Sequence, residues 1–342
     1  MSTFLSPVDS HPVELEMTAP RSSSRPDLSV VIPVYNEEEG LQSLFDRLYP
    51  SLDALATQRN LSYEIVFIND GSRDRSAAIL ADQYRARRDV TRVVLFNGNY
   101  GQHMAILAGF ERTQGEMVIT LDADLQNPPE EIANIVESML AGHDYVGTIR
   151  KNRQDIAWRR YASKAMNRLR ERITRIRMMD QGCMMRGYSR HIISLINQCH
   201  EVNTFIPALA FTFAQRPIEI EIGHEERFAG ESKYSAYKLM RLNFDLITGF
   251  SVMPLEMFSM AGLALSLMSA AFVVLLAVRR IFLGSEAEGV FTLFGILFFL
   301  MGVALFGIGL LGEYVGRIYQ QVRQRPRFVV QAFLDGKETR VE

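Results

Sequence analysis

Two carboxylates stand two residues apart at the end of an apolar run. Asp122 and Asp124 follow residues 117–121, which have the composition of a buried strand. Successive strand residues point to opposite faces, so the two side chains can converge only where pairing stops and the backbone turns. An Asp-x-Asp pair alone is more often part of a solvated loop. At the end of a strand it suits Mg²⁺ or Mn²⁺, hard ions that keep coordination positions open for substrate phosphates.

The segments around this pair alternate between strand and helix patterns. The alternation predicts an α/β fold, with a mostly parallel sheet that helices cover on both faces. Ligands of such sheets bind outside the carboxyl ends of the strands. Asn127, Pro128 and Glu130 predict that a helix begins directly after the acidic pair, with Asn127 as its cap. The predicted strands cover residues 28–33, 63–68, 91–96, 117–121 and 145–149.

Three other predicted strands end in polar loops that would lie on the same edge, at residues 33–37, 69–74 and 99–103. Asp70 can accept a hydrogen bond from a base or a ribose, and Gly71 permits a tight turn into a helix whose first amides favour an anion. Taken alone, Asp-Gly-Ser is more often only a turn and a cap, and His103 is more often a helix-start residue than a metal ligand. The chain lacks the phosphate-loop lysine motif, which argues against ATP hydrolysis.

Charge and cysteine content exclude some partners and chemistries. The formal net charge of −2 leaves no basic footprint, so we expect no nucleic-acid partner. Cys183 and Cys199 have neither metal-ligand spacing nor a disulfide framework, which is consistent with a reducing cytosol. Residues 1–27 are polar, rich in Ser and Pro, and without the pattern of a signal peptide, so we expect a disordered tail there.

Two long apolar segments follow the predicted sheet. Residues 257–278 and 290–311 contain no charged side chain, and about 22 residues form roughly 33 Å of helix, enough to cross a bilayer. Two buried core helices are the alternative, but core helices are seldom apolar all round over this length. Basic residues before and after the pair favour a cytoplasmic location for both flanks. The expected parts are a span at 254–279, a non-cytoplasmic loop at 280–289, a span at 290–312 and a cytoplasmic tail at 313–342.

Residues 234–253, just before the first span, have the pattern of an amphipathic helix. Tyr237, Met240 and Phe244 fall near one helical face, and Lys238 lies off it. This pattern predicts an interfacial helix on the membrane surface. It also fits an amphipathic helix that packs on the soluble domain.

Four of these segments together resemble the inverting glycosyltransferases of the GT-A type that load a sugar onto polyprenyl phosphate. The segments are residues 30–37, 69–72, 99–103 and 122–131, and the likeness continues through 180–186, 227–234 and 310–319. Within this family, Asn-Tyr-Gly-Gln-His, the Gly-Cys-Met segment and Ser-Lys-Tyr-Ser are typical of members that transfer 4-deoxy-4-formamido-L-arabinose to undecaprenyl phosphate. Asn69 departs from the family, which usually has aspartate there. Gly98 departs from the arginine expected in the members that transfer 4-deoxy-4-formamido-L-arabinose.

The resemblance implies a GT-A (Rossmann-like) domain over residues 28–233, a UDP-sugar donor, Mg²⁺ or Mn²⁺, and a membrane-bound lipid phosphate acceptor. It implies a bacterial inner-membrane enzyme, a tetramer by likeness to relatives with a two-span hairpin, that serves lipid A modification and polymyxin resistance. The residues implied for the nucleotide are Pro33, Tyr35, Glu37, Asp70 and Asp122. Those implied for the metal and the diphosphate are Asp122, Asp124 and Gln126. Those implied for the acceptor phosphate are Arg150, Arg159, Arg160, Ser163, Arg227 and Lys233.

Asp180 joins Asp122 and Asp124 as a candidate catalytic residue. A phosphate monoester is already largely dianionic at pH 7, so the acceptor can attack without giving a proton to the enzyme. We therefore expect Asp180 to orient the phosphate-binding groups or the sugar, and not to act as an obligatory base.

Competing functions remain open to different degrees. A processive polysaccharide synthase needs a Gln-x-x-Arg-Trp motif, but Gln324 follows Arg323 and the chain's single tryptophan is Trp158. A nonenzymatic membrane scaffold would not need acidic and glycine-rich loops at successive strand ends. Inside the family, glucosyl transfer to undecaprenyl phosphate and mannosyl transfer to dolichyl phosphate stay as alternatives.

Overall fold

The computed structural model describes residues 25–150, 178–180, 183–199, 205–223, 225, 252–283, 290–323 and 325–335. Its strands are β1 (Leu28–Val34), β2 (Tyr63–Asn69), β3 (Thr91–Phe96), β4 (Met117–Thr120), β5 (Tyr145–Arg150), β6 (Arg186–Ser189), β7 (Pro217–Ile222) and β8 (Val330–Leu334). Its helices are α1 (Leu41–Arg59), α2 (Ser76–Ala86), α3 (Gln102–Arg112), α4 (Ile132–Leu140), α5 (Arg190–Gln198), α6 (Ile206–Phe213), α7 (Met253–Leu283) and α8 (Val290–Val322).

The strands form one mixed sheet in the order β7-β5-β6-β4-β1-β2-β3-β8. The pairs β1–β2, β2–β3, β1–β4 and β5–β7 are parallel, whereas β4–β6, β5–β6 and β3–β8 are antiparallel. The chain runs outward from β1 to β3 and then returns to the other side of β1 to form β4. This reversal makes the gap between the ends of β1 and β4 a topological switch point, where open α/β sheets bind ligands.

Helices cover both faces of the sheet, as the alternating pattern predicts. Val30 and Ile32 of β1 pack with α1 and α4, while Val31 between them packs on the opposite face with α3, α5 and α6. All of these positions are buried, which explains why the central strands are almost continuously apolar.

The helix start after the acidic pair differs from the prediction. A single 3₁₀ turn at Pro129–Glu131 leads into α4, and its N-terminal flanking residue is Pro128, with no side-chain cap. Asn127 is buried, and its Oδ1 accepts a weak hydrogen bond from the Cys183 thiol at a distance of 3.6 Å. The capping role predicted for Asn127 is therefore wrong, because its side chain is buried against Cys183 and no side chain caps this turn.

The C-terminal part of the chain returns to the sheet. After α8, strand β8 pairs antiparallel with β3, and Phe328 stacks on Phe96 with ring centroids 5.1 Å apart. The sheet thus extends beyond residues 28–233 into the segment predicted as a tail. At the other end, Asp27 is held by Ser62, although the predicted disordered tail includes it.

The two apolar helices lie against each other. Phe258 of α7 and Phe306 of α8 have ring centroids 6.1 Å apart, and a Cβ on Gly307 would lie 2.1 Å from Cζ of Phe258. Among the described residues, Ile296–Val322 is the one helix long and apolar enough to cross a membrane, with a mean hydropathy of 2.2, and Met253–Leu265 is a shorter apolar stretch. The two predicted spans remain a prediction, and most of the predicted interfacial helix and connecting loop lies outside the described residues.

Candidate active site

The acidic pair lies at the switch point, directly after β4. Leu125 between Asp124 and Gln126 has φ 58°, a left-handed conformation that is uncommon for a side chain of this size, and its side chain is buried. The Gln126 amide donates to Oδ1 of Asp124 at 3.2 Å. Burial of its side chain therefore fixes Leu125 in a strained backbone conformation. The residues on either side of it, Asp124 and Gln126, are predicted metal ligands.

The surroundings of Asp122 disfavour its charged form. Burial, and next to it the negative charge of Asp124, raise the pKa of Asp122 to about 7. Gln102 opposes this shift because its Nε2 donates to Oδ1 of Asp122 at 2.6 Å, and the positive charge of Arg150 acts in the same direction. A divalent cation between the carboxylates would favour their charged forms, so the electrostatics fit a metal.

The donor set is small, as expected for a cation that shares its coordination with a substrate. The described residues contain no group of three or more His, Cys, Asp and Glu side chains that could hold a metal. Mg²⁺ commonly binds through one or two carboxylates plus phosphate oxygens and waters. The carboxylates of Asp122 and Asp124, together with the side-chain carbonyl oxygen of Gln126, fit that type of site.

Gln102 is a site residue that the sequence analysis did not single out. It is the first residue of α3 and belongs to the polar loop after β3. Its neighbour His103 lies at the helix start as predicted, with its ring edge-on to Phe205 at 5.6 Å between centroids. Burial lowers the pKa of His103, and its Nδ1 has no hydrogen-bond partner among the residues that the structure describes. The sequence shows the polar segment 99–103 that contains Gln102, but no local pattern in it predicts a contact between Gln102 and Asp122.

The loops after β1 and β2 hold each other through reciprocal hydrogen bonds. Asn36 has φ 54°, and its Oδ1 accepts the Arg73 amide at 2.9 Å while its own amide donates to Ser72 Oγ at 3.0 Å. The Glu37 amide donates to Ser76 Oγ at 3.0 Å. This interlock fixes the segment from Pro33 to Glu37, in which Tyr35 is exposed and Pro33 is half-buried.

Asp70 is already engaged within the protein. Its carboxylate accepts the amides of Tyr100 at 2.7 Å and Gly101 at 2.9 Å, and the Asn99 side chain at 3.0 Å. Burial raises the pKa of Asp70, and the two amides oppose that shift. Asp70 thus fixes the turn that leads to Gln102, and its contact with a nucleoside stays a prediction.

Arg150 and Asp180 form a bidentate ion pair near the acidic residues. Arg150 Nε donates to one oxygen of Asp180 at 2.8 Å and Nη2 donates to the other at 3.1 Å. Asp180 is buried and Arg150 is half-buried. The positive charge of Arg150 opposes the rise in the pKa of Asp122. The structure therefore brings together Asp122 of the predicted metal site, Arg150 of the predicted phosphate site and the candidate catalytic residue Asp180.

The loop after β7 docks on the acidic segment. The Glu225 amide donates to the Gln126 carbonyl at 2.9 Å, and the Gly223 amide donates to Glu131 at 2.9 Å. Arg47 forms ion pairs with the carboxylates of both Glu130 and Glu225, and so connects the two segments. The chain that continues toward Arg227 therefore starts beside Gln126. The other predicted phosphate-binding residues lie outside the described residues, namely Arg159, Arg160, Ser163, Arg227 and Lys233.

The chain matches a known protein family and named relatives. The family described as Glycosyl transferase family 2 matches residues 29–196. The undecaprenyl-phosphate 4-deoxy-4-formamido-L-arabinose transferase of Sodalis glossinidius is 50% identical over 317 residues, 92% of this chain and 95% of that protein. The protein of the same name from Edwardsiella ictaluri is 51% identical, over 89% of this chain and 93% of its own. A solved mannosyltransferase of Pyrobaculum calidifontis with GDP-Man and Mn²⁺ is 15% identical, with a TM-score of 0.43, over 84% of this chain and 88% of that one.

The two relatives of about 50% identity match over about nine-tenths of this chain. The predicted resemblance is confirmed, and so is the α/β domain of the GT-A type that it implies. The chain therefore belongs to glycosyl transferase family 2, and it is a glycosyltransferase.

Proposed function

We propose that this glycosyltransferase transfers 4-deoxy-4-formamido-L-arabinose from a UDP-sugar to undecaprenyl phosphate, with inversion, at the cytoplasmic face of the bacterial inner membrane. The observation that carries the proposal is the acidic pair beside the Arg150–Asp180 ion pair at the switch point of the sheet. The names of relatives at about 50% identity supply the sugar and the lipid. The product would serve lipid A modification and polymyxin resistance.

On the donor side, Asp122, Asp124 and Gln126 would hold Mg²⁺ or Mn²⁺. When bound, such an ion neutralises the charge that develops on the departing diphosphate. Gln102 fixes one oxygen of Asp122, so this carboxylate is oriented before the donor arrives. The interlocked loop from Pro33 to Glu37 borders the same edge, and we assign the nucleoside to it and to Asp70.

On the acceptor side, positive charge matters more than a base. The lipid phosphate is already largely dianionic near pH 7, so it needs capture and orientation more than deprotonation. A guanidinium group suits this task because its planar donors match phosphate oxygens in pairs. Both oxygens of Asp180 accept hydrogen bonds from Arg150, so Asp180 is placed to orient that guanidinium.

Arg227 is the second arginine that we assign to the phosphate. It follows Glu225 by two residues in the sequence, and its role is the one that the family implies. The Glu225 amide binds the Gln126 carbonyl next to the acidic pair. The last described residue before Arg227 is thus in contact with the acidic segment. Arg159, Arg160, Ser163 and Lys233 keep the phosphate-binding roles that the family implies.

The membrane part of the proposal is a two-helix hairpin with both flanks in the cytoplasm. Helix α8 is followed by β8, which pairs with β3 of the catalytic sheet, so the chain must return to the side on which that sheet lies. We assign the opposite side to the connector near Ser285. A Ser285→Cys variant should react with an impermeant thiol reagent added to spheroplasts, with the unsubstituted chain as the blank. Reaction only after permeabilisation would contradict the hairpin.

The function is tested by mass spectrometry of the lipid product. The purified protein receives undecaprenyl phosphate, Mg²⁺ or Mn²⁺, and in separate reactions UDP-4-deoxy-4-formamido-L-arabinose, UDP-glucose or GDP-mannose. We expect a product with the formamido sugar and none when chelator is in excess. Efficient use of UDP-glucose without turnover of the formamido sugar would instead favour the glucosyl alternative. The tetramer implied by the family is tested on the same sample by native mass spectrometry.

A further inference from the structure

A fully buried arginine lies behind the Arg150–Asp180 pair. Arg186, the first residue of β6, has 0% of its surface exposed. Its Nη2 donates to the backbone carbonyl of Asp180 at 2.5 Å, and its Nε donates to that of Cys183 at 2.7 Å. Nη1 donates to the Tyr145 hydroxyl at 2.5 Å. All three nitrogens of the guanidinium group are therefore occupied by uncharged acceptors inside the protein.

The burial of the Arg186 charge is energetically unfavourable, so stabilisation of the core alone does not account for this residue. Burying a charge costs free energy, and apolar side chains of similar volume commonly replace buried ionic groups without loss of stability. What an apolar side chain cannot do is bind two carbonyls of one loop and a phenol at the same time. The contacts of Arg186 thus indicate that it determines a position, namely that of the segment carrying Asp180.

The backbone around Asp180 is fixed from two sides. Arg186 binds the Asp180 carbonyl, and the Glu219 carboxylate of β7 accepts the Met179 amide at 3.0 and 3.2 Å. In the sheet, Arg186 pairs in register with Thr120, two residues before Asp122. The same strand pair therefore determines where the acidic pair begins and where Asp180 is held.

We propose that Arg186 is a positioning residue for the acceptor phosphate: it fixes the Asp180 backbone and, through the Asp180 carboxylate, the Arg150 guanidinium. This inference rests on the proposed function. Arg186 contacts neither substrate, so its loss changes the placement of Arg150 and leaves the donor contacts of Asp122, Asp124 and Gln126 in place.

The test compares Arg186→Lys with a matched control, Arg190→Lys. Arg190 at the start of α5 also donates to backbone carbonyls, those of Gly115 at 2.8 Å and Thr113 at 3.0 Å, but these lie before β4, at the other end of that strand. Lysine keeps the charge in both variants and loses the planar fork. Steady-state kinetics with undecaprenyl phosphate and the UDP-sugar are measured for both, together with thermal stability.

We expect Arg186→Lys to lower kcat/KM for the acceptor by up to about tenfold, because it acts through the Asp180–Arg150 pair, in which one charge-assisted hydrogen bond corresponds to about a factor of ten. The donor KM should stay within about twofold of its original value, since no donor contact changes. Arg190→Lys should lower the melting temperature to a similar extent while both kinetic constants stay within about twofold. Equal kinetics in the two variants, or equal losses toward donor and acceptor in Arg186→Lys, would overturn the proposal.

A second measurement does not depend on turnover. Hydrogen exchange of the Met179 amide should accelerate in Arg186→Lys and not in Arg190→Lys, because only the first change releases the Asp180 segment. If Arg186→Lys does not fold, Tyr145→Phe removes one of the three acceptors and should shift acceptor kcat/KM alone, in the same direction. Unchanged exchange and unchanged acceptor kinetics in the variant that folds would refute the role of Arg186. Failure of the unsubstituted enzyme to form any lipid-linked sugar would instead refute the proposed function, while the exchange result still decides the positioning role.

Discussion

Asp180→Asn separates an orienting carboxylate from a catalytic base. In the protein, both Asp180 oxygens accept hydrogen bonds from Arg150, at 2.8 and 3.1 Å. Asparagine keeps one carbonyl acceptor, replaces the other oxygen with an amide donor and removes the negative charge. One charge-assisted hydrogen bond is lost, and Arg150 gains freedom to leave its position.

The size of the effect follows from that lost bond. A hydrogen bond to a charged group contributes about 1.5–3 kcal/mol, and each 1.4 kcal/mol is about tenfold in an equilibrium constant. The Arg150 side chain is 21% exposed and that of Asp180 5%, so solvent weakens the pair and favours the lower end of this range. We therefore expect acceptor KM to rise about tenfold in Asp180→Asn, while kcat and donor KM change much less.

The assay is initial-rate kinetics with a lipid phosphate of adequate solubility, over a range of pH above 7. If Asp180 only orients Arg150, the rate should remain measurable and should not become dependent on added base. Asp124→Asn is the comparison, because there the loss is in the metal site. If Asp180→Asn is as inactive as Asp124→Asn with donor and acceptor affinities intact, the base-free mechanism fails and Asp180 becomes the general base.

Three further predictions follow from contacts elsewhere in the structure. Asp124→Asn, or excess chelator, should lower kcat at least about 10³-fold, because several kcal/mol of charge stabilisation disappear, and near-normal turnover would exclude the metal. Gly71→Ala should lower the free energy of unfolding by at least about 2 kcal/mol in chemical denaturation, since Gly71 has φ 63° and a Cβ there would lie 2.3 Å from the Gly98 carbonyl carbon. Gly98→Ala, with nothing within 4 Å, is its neutral control, and equal losses in the two would contradict the argument. Deletion of residues 325–342 should abolish activity in the membrane fraction, because it removes β8, whereas deletion of 336–342 should not, and activity in both would show that β8 is dispensable.

The sequence predicted the elements whose patterns are local. The strands from β1 to β5 begin and end within one residue of their predicted bounds, because each is a short apolar run bounded by turn residues. The short strand β6 was missed, since Arg-Gly-Tyr-Ser has no alternation and becomes a strand only by pairing with β4 and β5. Strands β7 and β8 lie at the two edges of the sheet. The sequence of β7, Pro-Ile-Glu-Ile-Glu-Ile, does alternate, so this strand had a local signal that the prediction did not use.

The candidate site was predictable to a similar extent. Asp122 and Asp124 were found from spacing at a strand end, whereas Gln102 was missed because it reaches Asp122 from another loop. The burial of Asp70 and its three hydrogen bonds within the protein could not be inferred from Asp-Gly-Ser alone. Asn127 had the residue type of a helix cap, but its side chain is buried toward Cys183. In each case, a contact between distant segments decided what the local pattern left open.

The return of the chain through β8 connects the apolar helices with the edge of the sheet that carries the acidic pair. The Val329 carbonyl accepts the Asn97 amide at 3.2 Å, and Phe328 stacks on Phe96, so the segment that follows α8 borders the end of β3. The same loop continues through the turn held by Asp70 to Gln102, which fixes Asp122. Four residues therefore lie between Asn97, which contacts the segment after α8, and Gln102, which contacts Asp122. In the proposed reaction the lipid phosphate meets the sugar donor at that pair, and this loop connects the segment after the apolar helices to the residue that orients Asp122.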